Sequence, residues 1–177
     1  DMFDPAQEWD MFAQDDASDL GLFNGNGGGT DPDPEPVAQC GDAATLISAI
    51  QGNTDSSPLT GQTVSVEAVV TADFQGSANL RGFFLQEEFS DQDADASTSE
   101  GLFIYDANNA VDVTVGDRVR VTGTVAEYYG LTELTSLTSV EVCAQQQTVD
   151  STALALPLAN ISELEALEGM RIHMPQI

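Results

Sequence analysis

The 177-residue chain contains no lysine and only four arginines, Arg81, Arg118, Arg120 and Arg171, against 30 acidic residues, for a formal net charge of −26. A surface of that sign repels phosphate, because nucleic-acid binding normally draws its affinity from lysine and arginine displacing counterions. Nucleic-acid contact therefore needs a local basic patch, a bridging cation or high salt. The simpler meaning of the charge is a solubilising surface for salty, cation-rich water. There is one histidine, His173, with no serine or aspartate motif around it, so a histidine-centred nucleophilic site is not indicated and a structural or surface role is expected. Two cysteines far apart and one histidine do not make a zinc site. No apolar run reaches the roughly 18 residues that a membrane-spanning helix needs, and no membrane partner is expected.

Cys40 and Cys143 bracket the most patterned part of the chain. If bridged, they close a loop of about 100 residues, which the chain-entropy model values at about 4–5 kcal/mol. Such a bridge implies an oxidising compartment; two separate buried thiols are the alternative.

Composition divides the chain into three. Residues 1–24 set Phe3, Trp9, Phe12 and Phe23 among acidic residues, and aromatics at that density argue against pure linker. This piece reads as the tail of a preceding domain. Residues 25–39, GNGGGTDPDPEPVAQ, join a glycine cluster to alternating proline and acid, which is linker chemistry. Residues 40–177 carry the folded domain. Within it the spacing of Leu46, Ile47 and Ile50 suggests a short helical or irregular turn over 42–51. Five strands are expected at 62–71, 80–86, 102–106, 117–128 and 131–142, from alternating and β-branched runs separated by turn residues. Val119, Val121, Gly123 and Val125 should face inward, with Arg118, Arg120, Thr122 and Thr124 outward, and Gly123 should mark a bulge or bend. Of Tyr128 and Tyr129, one should pack inward and one stay exposed. This is an all-β pattern suited to a small closed barrel. Ser162 and Glu165 match a capping box opening a short helix, and Asn160 is a further helix cap. After Gly169, MRIHMPQI reads as a new strand, so the last ~15 residues should lead into a following unit.

The segments IQGNTDSSPLTGQTVSVEAVVTADFQG, RGFFLQEE, SEGLFIYD, VGDRVRVTGTVAEYYGLTEL and LEALEGMRIHMPQ resemble the OB-fold, YhcR-like domain of secreted bacterial nucleases of the ExeM/NucH type, over roughly residues 40–177. The resemblance implies a five-stranded Greek-key barrel with short flanking helices. It also implies an extracellular protein of a Gram-negative bacterium, a lamin-tail-like domain before the barrel and a metal-dependent endonuclease/exonuclease/phosphatase domain after it. The family's catalytic carboxylates, histidines and asparagine belong to that downstream domain, so these 177 residues should be catalytically silent. DNA and the adjacent domains of the same chain are the partners it implies.

OB barrels bind on the face of strands two and three and the adjoining loops, through aromatic stacking and a basic rim. The matching positions here are Arg81, Phe83, Phe103, Tyr105, Arg118 and Arg120, with core packing as the alternative role for the aromatics. A second candidate is the acidic loop. Glu87, Glu88, Asp91, Asp93, Asp95 and Glu100 put six carboxylates within fourteen residues, and the candidate ligands among them are Asp91, Asp93, Asp95 and Glu100, at a spacing that resembles the opening of a calcium loop although the mid-loop glycine of an EF-hand is missing. Ca2+ or Mg2+ held there, or a solvated loop without an ion, are the two readings.

Overall fold

In a computed structural model of the chain, residues 39–107 and 111–175 are described; the sequence expectations for 1–24 and for nearly all of the 25–39 linker lie outside them. The element order is α1 (Ile47–Gln51), β1 (Thr63–Phe74), β2 (Gly82–Gln86), β3 (Gly101–Tyr105), β4 (Arg118–Tyr128), β5 (Leu131–Ala144), β6 (Thr152–Ala153), a 3-10 helix (Ile161–Leu167) and β7 (Ile172–His173). The five long strands close into a barrel in the order β1-β2-β3-β5-β4. Neighbours are antiparallel except β3 and β5, which pair in parallel through Phe103↔Glu133 and Ile104↔Leu134. All-β is therefore the fold class.

Alternation in the sequence becomes inside and outside in the barrel. Val66, Ala68, Val70, Phe83, Leu85, Leu102, Ile104, Val119, Val121, Val125 and Leu134 fill the interior, and Ile47 and Ile50 of α1 pack into the same buried cluster. Of the 42–51 stretch only Ile47–Gln51 is helical, and the irregular residues before it serve another purpose, described below. β4 and β5 join through Tyr129 and Gly130, both at positive φ (54° and 85°), the conformation a two-residue hairpin turn demands. Both Tyr128 and Tyr129 are exposed, their rings edge to face at 4.7 Å, so neither packs inward. At Gly123 the register with β5 does shift, and a Cβ there would lie 2.8 Å from Leu137 and 2.9 Å from the Thr135 carbonyl.

The outer side of β4 departs from a solvent face. Arg120 points outward as expected but is only 2% exposed, because the segment after Cys40 folds over it. Its Nη1 donates to the Asp42 carbonyl (2.8 Å) and to Glu67 Oε2 (3.1 Å), and its Nη2 to the Ala43 carbonyl (2.7 Å). The Cys40–Cys143 disulfide, with Cα atoms 5.5 Å apart, fixes this segment to the end of β5.

The C-terminal segment stays on the barrel. Glu168 Oε1 accepts from the Thr132 amide (2.9 Å), Ser99 Oγ donates to the Glu168 carbonyl (2.6 Å), and the Arg171 amide donates to Gln86 Oε1 (2.8 Å). Gly101 and Gly169 allow backbone to touch backbone, since a Cβ on Gly101 would fall 2.3 Å from the Gly169 carbonyl carbon. Ile172–His173 then pairs in parallel with Thr152–Ala153. The capping box is present but two residues earlier than expected: Asn160 and Glu163 form it, not Ser162 and Glu165. Among the described residues, no helix is long and apolar enough to cross a membrane.

Candidate nucleic-acid interface

The outer face of β2, β3 and β5 carries a groove of about 540 Å³ lined by Leu80, Arg81, Phe84, Phe103, Tyr105 and Glu133, with Tyr128 at the β4–β5 turn. Its floor is aromatic. The Phe84 and Phe103 ring centroids are 4.9 Å apart, and Phe74 meets Phe84 edge to face at 6.2 Å. The Phe103 ring reaches the β2 backbone because residue 82 is glycine: a Cβ there would sit 2.6 Å from the Phe103 ring tip and 2.1 Å from the Ile104 carbonyl oxygen. Gly82→Ala should therefore force the β2 and β3 backbones apart at Ile104 as well as displace the Phe103 ring, seen as a lower Tm and changed near-ultraviolet circular dichroism.

The structure regroups the candidate site residues. Phe103, Tyr105 and Arg81 share the groove, but Phe83 does not. It is completely buried in the barrel, and Phe84 takes the outward place. The cause is local: β2 begins at Gly82, and Arg81, before it, sits at φ 62°, so the alternation that would put Arg81 and Phe83 on one face is broken at Arg81. The arginine stripe also dissolves. Arg120 is enclosed, and Arg118 turns to the far side, 3.5 Å from Glu67 and 3.8 Å from Glu88. That leaves Arg81 as the groove's arginine, with Nη2 donating to the Ala107 carbonyl (3.1 Å).

Sequence reasoning missed Glu133. It is 7% exposed, beside Phe103 as its strand partner, and its carboxylate accepts no hydrogen bond from any described residue. Burial, and then the nearby Glu127, push its carboxyl above the ordinary range. The strand pattern LTELTS held the signal, a lone acid within a strand next to two aromatic strands, but only the parallel β3–β5 register shows what it faces.

The acidic loop is also regrouped. Asp93 Oδ1 accepts from the Asp95 amide (2.8 Å) and Asp95 Oδ1 from the Ser97 amide (2.9 Å), while Glu100 Oε1 accepts from the Asp93 amide (2.9 Å). Short acidic side chains fold back on their own turns in this way, and the four expected ligands are not brought together. Only Asp91 joins a carboxylate group, with Glu87 and Glu88, in which one oxygen from each lies within 4.8 Å of the others. Glu87 is 1% exposed, and its Oε1 accepts from the Ile47 amide at the start of α1 (2.9 Å). Burial above all, then the Asp91, Glu100 and Glu88 charges, push the Glu87 carboxyl up to about 8 against that hydrogen bond. Burial also raises Glu88, Glu100 and Glu168.

These raised carboxyls make stability depend on pH with a definite sign. The folded chain keeps a proton on Glu87 that the unfolded chain gives up near 4.5, so the folded state is favoured most below that value. The advantage shrinks as pH rises and is gone above about 8. Thermal melts at constant ionic strength should show Tm falling across this interval. A flat or rising profile contradicts the burial of these groups.

His173 is exposed, and its Nδ1 lies 3.0 Å from Ser151 Oγ. No carboxylate among the described residues bonds to this pair, so the arrangement lacks the group that would orient the ring for proton transfer. No protein-family model and no curated protein matches the chain.

Proposed function

We propose that the domain is an OB-fold binding module of a secreted nuclease-type protein, without catalytic residues of its own, that holds single-stranded DNA for a catalytic domain elsewhere in the parent chain. The observation that carries this reading is the aromatic groove across β2 and β3, at the place where OB barrels bind. The strand order β1-β2-β3-β5-β4 supports the fold name, and the disulfide supports an extracellular setting. The groove also answers the objection raised by the net charge of −26. Stacking on the half-buried Phe84 and Tyr105, with the nearly buried Phe103 between them, needs no cation, and with one arginine at the site the affinity should depend only weakly on salt.

Titration of the whole chain with short labelled single strands at raised ionic strength tests this. Phe84→Ala should weaken binding by about 5- to 100-fold, the value of about one stacked base. Absence of binding at every salt concentration leaves only a scaffolding role. Incubation of DNA with the purified chain and Mg2+ should yield no cleavage; hydrolysis overturns the non-catalytic part of the proposal.

The Glu87, Glu88 and Asp91 group favours a second reading, a cation-stabilised structural or adhesive domain with no nucleic-acid role. Ca2+ or Mg2+ would find only oxygen ligands there, the type both prefer. Calorimetry with calcium separates the two. Tight binding with a large rise in Tm, and no DNA binding, selects this second reading.

A further inference from the structure

We infer that Glu133 makes the groove selective for guanine among the bases it stacks. The inference rests on the stacking role proposed for this groove and adds its specificity. Glu133 is 7% exposed as a whole residue, its carboxylate oxygens are not sealed from solvent, and no described residue donates to them, so they are free to accept from a ligand in the groove they line. Phe84, Phe103 and Glu133 are cross-strand partners in one row, and Phe103 is nearly buried between the other two, so a base stacked on Phe84 would extend over Phe103 and bring its edge towards the Glu133 oxygens.

The chemistry of that edge decides among the four bases. Guanine alone presents two adjacent donors, N1–H and the N2 amino group, which match the two oxygens of one carboxylate. Adenine and cytosine each offer one amino donor next to a ring nitrogen acceptor, which faces the second carboxylate oxygen with like charge. Thymine places its single N–H between two carbonyls. The same negative charge that disfavours phosphate thus becomes a means of reading a base. Arg81 remains at the rim for a single backbone contact.

The test uses the whole chain and thymidine pentamers carrying guanine, adenine, cytosine or thymine at the centre, in raised salt at mildly alkaline pH. A single central guanine avoids quadruplex formation. The expected result is binding of the guanine pentamer about 5- to 100-fold tighter than the others, the range for one bidentate base contact. Glu133→Gln keeps the shape but replaces one acceptor by a donor, and should abolish the guanine preference, because an amide's donor and acceptor match the adenine or thymine edge instead. A matching Tm confirms that the variant is folded. If all four pentamers bind alike and Phe84→Ala weakens all of them, the groove stacks bases but the role of Glu133 is wrong. If the guanine preference survives Glu133→Gln, the role of Glu133 is also wrong. If no pentamer binds, the stacking role and this inference fall together.

Discussion

Reducing the Cys40–Cys143 disulfide should lower the stability of the domain by about 4–5 kcal/mol, the chain-entropy value for so long a loop. The sequence separation is 103 residues, so in the unfolded chain the bridge restrains the whole barrel sequence. In the folded state it restrains a shorter piece, the Cys40–Thr45 segment lying over Arg120 and Glu67. Tm should fall by roughly 10–20 °C for a domain of this size. Urea unfolding of the oxidised protein beside the Cys40→Ser/Cys143→Ser variant measures the difference directly. A loss under about 1 kcal/mol would mean that loop closure contributes little, and that the unfolded chain is already compact enough not to gain from release.

Replacing Arg120 by alanine should cost a comparable amount, about 3–5 kcal/mol, because it strands a buried acceptor set rather than simply removing a contact. The Arg120 guanidinium is the shared partner of the Asp42 and Ala43 carbonyls and of Glu67 Oε2. Without it, Glu67 keeps the Gly41 amide at 2.8 Å and the neighbouring Arg118, but the two carbonyls have nothing to face. Arg120→Lys should recover only a fraction, since a single ammonium does not reproduce the planar fork that meets three oxygens. Hydrogen exchange adds a local readout: the Gly41 and Thr45 amides should lose protection in Arg120→Ala before the barrel strands do. Equal loss everywhere would show that Arg120 supports the barrel as a whole, not the segment that covers it.

The strands were largely readable because half-buried strands repeat every two residues. Val64 to Val70 and Val119 to Val125 announce their faces without reference to any partner. Their ends were less readable. β1 runs to Phe74 and β5 to Ala144, past the expected ends at 71 and 142, because cross-strand bonding extends them where the apolar pattern has faded. The β2 start failed in the opposite direction. Leu80 and Arg81 belong to the preceding turn, and the positive φ at Arg81 exchanges the roles of Phe83 and Phe84. A shift of a single residue at one strand end is enough to exchange a core ring for a binding ring.

The candidate site was readable only in part. Aromatic strands two and three pointed to the correct face, and Arg81, Phe103 and Tyr105 are on it. Arg118 and Arg120 look equivalent in RVRV, yet one is paired near the surface and the other is enclosed. The acidic loop held enough carboxylates for a cation, but its alternating aspartates are used by their own turns, and Glu87 and Glu88 from the end of β2 take their place beside Asp91.

By itself, the amino-acid order determined an acidic all-β domain with a barrel interior of alternating valines and a pair of cysteines placed to bridge its ends. Those properties follow from local periodicity and composition, which each stretch of chain expresses without knowing its neighbours. Which arginine lines the groove, which phenylalanine faces out, and that Glu133 lies beside Phe103 were decided by closure of the barrel. They depend on the parallel pairing of β3 with β5 and on a covering segment that folds back from Cys40, both contacts between residues remote in sequence. Register and covering are properties of pairs of segments, and no single segment encodes them.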